Sequence, residues 1–283
     1  MVDRRTQFLT TADGRRLCFA EWGLAEGVPV FALHVSPGCR LGVAAETDAI
    51  VTELGGRLIT YDRPGYGQSD PRSPETRVVD HVDDVRAIAD RLGIDGFSIT
   101  GFSGGAPHAL AVAARLPDRV VRVSNTGAIA PLDLVGLDEW QRAQDGDTRE
   151  YLTAVRASEA ACTTLFGRLD AEERAALADD DPMRDAKLEQ TRQGVAAWVN
   201  DERALESPWG FSLSEIRAPT VIYANPNDTV TPPNHAEWLV AHIRSAVLVA
   251  SANAPGHAGI EDTLHARKAV YTWLISGGEP NTP

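Results

Sequence analysis

The 283 residues are enough for one large α/β domain with an insertion, and the composition is ordinary for a globular protein. The formal net charge of −13 argues against binding to a nucleic-acid backbone or to an anionic membrane surface. The sequence contains no secretory leader, no apolar run that could span a bilayer, and three widely spaced cysteines without metal-ligand spacing, so we expect a cytoplasmic protein without disulfides.

The first predicted elements form an antiparallel hairpin followed by alternating strands and helices. Residues 8–11 and 16–21 alternate in polarity around a turn. Short apolar runs then predict buried parallel strands, and helical patterns lie between them. The strands are predicted at residues 30–34, 58–61, 97–100 and 120–124, and the helices at 42–54, 76–92 and 106–116. Such β-α-β units build a mostly parallel, twisted sheet with helices on both faces.

Strand signals stop between residues 131 and 209, where the sequence is helical and strongly acidic. This segment has eighteen Asp and Glu against nine Lys and Arg, and it therefore carries −9 of the net charge. Alternation then resumes, with strands predicted at 220–224 and 246–250 and helices at 234–243 and 261–275.

We therefore predict a core in two parts, interrupted by a helical insertion. The predicted divisions are residues 1–130 and 211–276 for the core, 131–210 for the insertion, and 277–283 for a flexible tail. Ligands of such sheets bind at the carboxyl ends of the strands, where this insertion emerges. We expect it to be a lid over a pocket rather than a solvated excursion.

The pentapeptide Gly101-Phe102-Ser103-Gly104-Gly105 joins a predicted strand to a predicted helix. A serine at the apex of so sharp a turn has a strained backbone, which small flanking residues permit. Its hydroxyl is then exposed for attack, so we predict that Ser103 is a nucleophile. The N–H of Gly104, at the start of the helix, is predicted to stabilise an oxyanion.

A serine nucleophile needs a base and an acid nearby. His257 follows the last strand in a loop of small residues and is the predicted base. Asp228 follows the strand at 220–224 and is the predicted carboxylate that fixes the tautomer of the base, although a turn-capping aspartate would look the same in isolation. The order Ser103, Asp228, His257 is typical of one hydrolase architecture.

The other histidines are weaker candidates for the base. We expect His81, His235, His242 and His265, which fall within or beside helices, to be solvated. His108 follows the serine on its helix and is expected to point away from the pocket.

A tetrahedral intermediate needs a second hydrogen-bond donor besides Gly104. The loop at residues 34–38 leaves the third strand at the right place, and the backbone N–H of Ser36 or of Val35 is the candidate. The alternative is a Pro-Gly turn without a ligand role.

The serine turn, the base, the acid and the oxyanion loop together resemble the α/β-hydrolase fold family, and specifically its cap-bearing serine hydrolases. The resemblance covers nearly the whole chain. The loop at 34–38 is similar to the family pattern H-G-x-P-G, and residues 62–69 are similar to D-x-x-G-x-G-x-S. The resemblance implies an α/β-hydrolase fold with a helical cap. It also implies that Ser103, Asp228 and His257 are the nucleophile, acid and base.

The chain departs from the family pattern at one position of the oxyanion loop. Val35 stands where the family usually has glycine, and its β-branched side chain could reshape the loop. Serine at position 103 argues against the members with an aspartate nucleophile, such as epoxide hydrolases and haloalkane dehalogenases. Proline iminopeptidases resemble this chain in fold and hold a substrate amine with acidic cap residues, but their H-G-G-P-G loop and tryptophan-containing elbow are absent here.

The leading hypothesis is a cofactor-free, metal-free serine hydrolase that cleaves an ester, lactone or thioester bond of a small apolar molecule through an acyl-enzyme on Ser103. Aminopeptidase and C–C bond hydrolase activities remain open within the same chemistry. A non-catalytic ligand-binding protein and a lyase or cyclase are alternatives of other classes. The expected partner is a small molecule, not nucleic acid or membrane, and assembly into a homo-oligomer is left open.

The substrate pocket is expected to draw on one loop residue and on aromatic residues near the site and in the insertion. Core packing would also explain most of the aromatic ones. The candidates are His34, Phe102, Trp140, Tyr151, Phe166, Trp198 and Trp209.

Overall fold

The computed structural model describes residues 4–73, 76–131, 146–250, 256–257 and 263–279. Eight strands form one sheet in the order β1-β2-β4-β3-β5-β6-β7-β8. The strands are β1 (Gln7–Thr10), β2 (Arg16–Gly23), β3 (Val28–Leu33), β4 (Gly56–Tyr61), β5 (Phe97–Phe102), β6 (Val120–Thr126), β7 (Thr220–Ala224) and β8 (Ala246–Ala250). β2 pairs antiparallel with β1 and β4, and all other neighbours are parallel. The predicted α/β fold with a mostly parallel sheet is confirmed.

Nine α-helices lie among the described residues. They are α1 (Ala45–Glu53), α2 (Val82–Arg91), α3 (Gly105–Arg115), α4 (Gly146–Ala157), α5 (Glu159–Ala176), α6 (Arg184–Gln190), α7 (Ala196–Leu205), α8 (Pro233–His242) and α9 (Leu264–Ser276). Apolar side chains of α1 and α9 pack in one cluster, and those of α2, α3 and α8 pack in another. Helices therefore cover both faces of the sheet, as predicted.

Some boundaries differ from the predictions. The helix predicted at 42–54 begins only at Ala45, because Gly42 donates its N–H to Cys39 in a turn and Ala44 is extended. The helix predicted at 76–92 opens with a 3₁₀ turn, Val78–His81, before α2. β5 continues two residues past its predicted end to Phe102.

The helices α4 to α7 lie between β6 and β7 in the chain, which is the predicted place of the insertion. Their apolar side chains form a separate cluster that includes Tyr66 of the core together with Phe166 and Trp198. The insertion is thus anchored on the loop that follows β4. Residues 132–145, at its predicted beginning, lie outside the described residues.

The register of the parallel strands brings their carboxyl ends to one edge of the sheet. Leu33 at the end of β3 pairs with Gly101 of β5, and Phe102 pairs with Thr126 at the end of β6. Thr126 in turn pairs with Tyr223 of β7. The loops that follow these strands carry the predicted site residues and therefore meet above this edge.

Candidate active site

Ser103 occupies the turn between β5 and α3. Its φ of 50° makes it the one non-glycine residue with positive φ among the described residues. The flanking glycines permit this turn because a Cβ on Gly101 would lie 2.3 Å from the Gly105 carbonyl oxygen, and one on Gly105 would lie 2.3 Å from that of Leu33. The turn therefore needs glycine at both positions and directs the serine away from the sheet.

His257 lies between Ser103 and Asp228. Its Nε2 is 2.9 Å from Ser103 Oγ, and its Nδ1 is 2.8 Å from Asp228 Oδ2. Thr231 supports the carboxylate by donating its backbone N–H to Oδ1 and its hydroxyl to Oδ2, at 2.8 Å each. The structure thus brings the three residues named from the sequence into one hydrogen-bonded chain.

The environment of Asp228 favours the ionised carboxylate. Burial by itself raises the pKa of Asp228, but the hydrogen bonds from His257 and Thr231 outweigh burial and leave the pKa below its ordinary value. An ionised Asp228 accepts a hydrogen bond from the Nδ1–H of His257, which leaves Nε2 unprotonated and able to take the Ser103 proton.

Gly127 gives the imidazole its space. This glycine follows β6 with a φ of 54°, and a Cβ there would lie 2.9 Å from His257 Cε1 and 2.7 Å from the Phe102 ring. Phe102 stacks on the imidazole at 5.1 Å between centroids. The sequence analysis did not single out this glycine, although its position shortly after a predicted strand was a signal.

Gly104 and Ser36 lie close together beside Ser103, and all three residues line one cavity. A Cβ on Gly104 would lie 3.0 Å from the Ser36 nitrogen and 2.3 Å from Ser36 Oγ. Within the described ranges no acceptor contacts either N–H. Val35 lines the adjoining cavity, and its carbonyl oxygen accepts from Arg63 Nη2 at 3.1 Å.

His34 is held by the loops rather than free to meet a ligand. Its Nε2 accepts the backbone N–H of Arg63 at 3.2 Å, so its Nδ1 carries the proton and donates to the Val35 carbonyl at 2.7 Å. Burial and the nearby Arg63 guanidinium lower the pKa of His34 well below its ordinary range. The ring is therefore neutral, and His34 lines a cavity next to Ser103.

A buried ion pair of Arg63 and Asp201 is hydrogen-bonded to the loop at residues 34–38. Arg63 donates from Nε and Nη2 to Asp201 Oδ2, and both side chains are almost completely buried. Ser36 Oγ donates to the same oxygen at 2.7 Å, and the Tyr66 hydroxyl does so at 3.0 Å. Burial raises the pKa of Asp201, but the guanidinium and His108 outweigh it and hold the pKa well below its ordinary range. Sequence reasoning missed both Arg63 and Asp201.

One group of side chains has the spacing of metal ligands. Atoms of His81, His108 and Asp201 lie within 4.8 Å of one another. The guanidinium of Arg63 already neutralises the carboxylate, and a second cation beside it would be repelled. We therefore interpret the group as a buried polar network rather than as a metal site.

The expectation of solvated histidines is wrong for His81 and His235, which are 5% and 2% exposed. His81 packs against His108 with ring centroids 4.3 Å apart. His108 faces Asp201 and lines neither of the two cavities described next, in agreement with the expectation that it points away from the pocket. His235 lines the smaller cavity.

Two cavities meet at Ser103. The larger has a volume of about 790 Å³, and the smaller of about 530 Å³. Ser36, Ser103, Leu169 and His257 line both. The larger cavity has an apolar wall that includes Val35, Val43, Ala44, Met183 and Ala186, and the smaller has an acidic wall that includes Asp147, Glu150, Glu172, Glu202 and Glu206.

The predicted aromatic contacts divide into two groups. Phe102 and Trp198 line the larger cavity, and Tyr151 lines the smaller one, where its hydroxyl accepts from Trp198 Nε1 at 2.6 Å. Phe166 and Trp209 line neither cavity, because Phe166 stacks on Trp198 inside the insertion and Trp209 packs in the main core. Phe166 and Trp209 therefore belong to the apolar clusters and not to the pocket lining expected from the sequence. Trp140 lies outside the described residues.

Comparison with known proteins agrees with this architecture. The family described as the alpha/beta hydrolase fold matches residues 46–262. A non-heme chloroperoxidase of Streptomyces lividans is 32% identical over 127 residues, which are 44% of this chain and 45% of that protein. A proline iminopeptidase of Neisseria gonorrhoeae is 30% identical over 115 residues, 40% of this chain and 36% of that one. Each match thus spans less than half of the relative's own length.

An esterase from Exiguobacterium antarcticum has a similar fold, with a TM-score of 0.69 over 95% of this chain and 98% of that one, at 21% identity. Within the described ranges, every helix is too short or too polar to cross a bilayer. From the sheet, the serine turn and the family match, the chain belongs to the α/β hydrolase fold family.

Proposed function

We propose that this hydrolase cleaves ester, lactone or thioester bonds through an acyl-enzyme on Ser103. The observation that carries the proposal is the hydrogen-bonded chain from Ser103 Oγ through His257 to Asp228. A base within hydrogen-bond reach is what a serine hydroxyl needs in order to act as a nucleophile near neutral pH.

The proposed reaction has two halves. Ser103 Oγ attacks the carbonyl carbon while His257 Nε2 takes the hydroxyl proton, and Asp228 stabilises the imidazolium that forms. The oxyanion is held by the N–H groups of Gly104 and Ser36. His257 then protonates the leaving group, and in the second half it activates a water molecule that releases the acyl group from Ser103.

The substrate class follows from the walls of the larger cavity. Its lining is mainly apolar, and about 790 Å³ is sufficient for a molecule of moderate size. We assign the acyl chain to this cavity, with Met183 and Ala186 of the insertion forming one wall. The helical insertion at 131–210 then acts as a cap over the core at 1–130 and 211–276, and this division, like the tail at 277–283, stays a prediction.

A second candidate is hydrolysis of a substrate that carries an amine, as in the proline iminopeptidases. The acidic wall of the smaller cavity favours it. Burial raises the pKa of Glu202 to about 8, and an ammonium group beside it would restore the ionised form. Glu202→Gln should then reduce turnover of proline p-nitroanilide and leave p-nitrophenyl esters unaffected.

The test is a panel of p-nitrophenyl esters, lactones, thioesters and aminoacyl p-nitroanilides, measured on the wild type and on Ser103→Ala. The proposal expects turnover of at least one oxygen or sulfur ester, abolished by the substitution. Full retention of that turnover in Ser103→Ala would overturn the mechanism. Absence of turnover with tight binding of panel compounds would favour a ligand-binding protein, and turnover without a covalent intermediate would favour a lyase or cyclase.

Four further properties stay predictions. They are a cytoplasmic location, a small-molecule partner without nucleic acid, a reaction without cofactor, and an oligomeric state that is left open.

A further inference from the structure

Asp201 reaches the core from the insertion. It lies on α7, 138 residues from Arg63, and its side chain is buried against the loop that follows β4. Its Oδ2 accepts from Arg63, Tyr66 and Ser36, three residues of the core. The carboxylate is thus a common acceptor for two separate core loops.

Arg63 extends this contact to the backbone of the oxyanion loop. Its Nη1 donates to the His34 carbonyl, and its Nη2 donates to the Val35 carbonyl at 3.1 Å and to Ser36 Oγ at 2.9 Å. Arg63 therefore binds the carbonyls of His34 and Val35 and the side chain of Ser36. The Ser36 nitrogen lies 3.0 Å from the position that a Cβ on Gly104 would take, so this loop stands next to the other proposed oxyanion donor.

A second ion pair between insertion and core, with Arg40 buried and Glu189 partly buried, provides a comparison. Glu189 of α6 binds Arg40 Nη1 at 2.6 Å, and Arg40 also binds Asp62 at 2.7 Å. Among the described residues, no hydrogen bond joins Glu189 or the Arg40 side chain to residues 34–36. This pair connects the insertion to the core without a hydrogen bond to the oxyanion loop.

We propose that Asp201 is a positioning residue for the oxyanion hole: through Arg63 and Ser36 it fixes the loop that carries the second N–H donor, so that the hole is complete only when α7 is docked. The inference rests on the proposed serine hydrolase mechanism. Through Asp201, the insertion would affect the chemical step and not only substrate binding. A misplaced donor weakens transition-state stabilisation and leaves the ground-state complex largely unchanged.

The test compares Asp201→Asn with Glu189→Gln, since each removes one charge from an ion pair between insertion and core. Steady-state kinetics use p-nitrophenyl butyrate, and the labelling rate uses a fluorophosphonate. Misplacement of a reacting group by about 1 Å costs on the order of 100-fold, so Asp201→Asn should lower kcat about 10- to 100-fold with KM within about twofold. Glu189→Gln should leave kcat within about twofold.

Asp201→Asn leaves the buried Arg63 without its counter-charge and could prevent folding. A further variant covers that case. The double variant Arg63→Met with Asp201→Leu removes both charges and fills the space with apolar side chains, which buried ion pairs often tolerate. It should show the same loss of kcat and slowed labelling. Asp201→Glu keeps the carboxylate and should retain part of the wild-type kcat. That result would show that the carboxylate, and not packing in general, is required.

Two outcomes would overturn the inference. One is a folded Asp201→Asn or double variant with wild-type kcat and labelling rate. The other is an equal loss in Glu189→Gln, which would assign the effect to docking of the insertion in general. Failure of the wild type to label at Ser103 would instead overturn the mechanism on which the inference rests.

Discussion

His257 Nε2 lies 2.9 Å from Ser103 Oγ, although the two residues are 154 positions apart in the chain. Proton transfer along this contact requires the tautomer that carries its proton on Nδ1. The bond from Nδ1 to Asp228, at 2.8 Å, selects that tautomer.

Asp228→Asn should therefore lower kcat about 10⁴-fold with little change in KM, because an amide can leave His257 in the wrong tautomer. Steady-state hydrolysis of a p-nitrophenyl ester measures this. The matched control is Asp83→Asn on α2, where the side chain is exposed and lines neither cavity. A variant at Asp228 that keeps more than a tenth of wild-type kcat would contradict the assignment.

Gly105→Ala should destabilise the protein, because its Cβ would lie 2.3 Å from the Leu33 carbonyl oxygen. Forcing atoms into a filled interior costs about 1–3 kcal/mol in free energy of unfolding. Gly167→Ala is the control, since nothing lies within 4 Å of its Cβ and it sits inside α5. That change should stabilise by about 0.5–1 kcal/mol. Urea denaturation of both variants checks the pair, and equal stabilities would be inconsistent with the packing described.

The ion pair of Asp201 and Arg63 should make stability depend on acid pH. The pKa of Asp201 is well below its ordinary value in the folded state, so the unfolded chain takes up the proton first. Its contribution is then fully present above about pH 5 and is lost as the pH falls below about 4 toward the folded-state pKa.

Urea midpoints at pH 7, 5, 4 and 3 measure this dependence. The wild type should lose more stability between pH 5 and pH 3 than the double variant Arg63→Met with Asp201→Leu. Parallel losses in the two proteins would show that the pair does not titrate in this way.

The larger cavity should set the acyl-chain preference. Met183→Trp narrows it, and Leu152→Trp narrows the smaller cavity instead. Each excluded methylene group changes kcat/KM by about tenfold or more. Met183→Trp should thus lower kcat/KM for p-nitrophenyl octanoate at least tenfold relative to the acetate, and Leu152→Trp should not. The reverse pattern would place the acyl chain in the smaller cavity.

The sequence predicts the sheet and the place of the site well, because both follow from local signals. The apolar runs of β5 and β7 mark buried strands, and parallel strands must end at the same edge. Ser103 and Asp228 follow such ends directly. Glycine at positions 101 and 105 is likewise readable as the requirement of a sharp turn.

The pair of Arg63 and Asp201 could not be predicted in the same way. The two residues are 138 positions apart, and Asp201 stands beside Glu202 in a helix whose charges look uniformly solvated. Which of them turns inward depends on how α7 docks. The burial of His81 could not be predicted for the same reason, since it arises from packing against His108 of α3.

The most direct measurement is the site of covalent labelling by a fluorophosphonate, located by mass spectrometry on the wild type, Ser103→Ala and His257→Ala. The proposed serine mechanism predicts one adduct on Ser103 in the wild type, none in Ser103→Ala, and much slower labelling in His257→Ala. A folded wild-type protein that is not labelled, or that is labelled elsewhere, would contradict it.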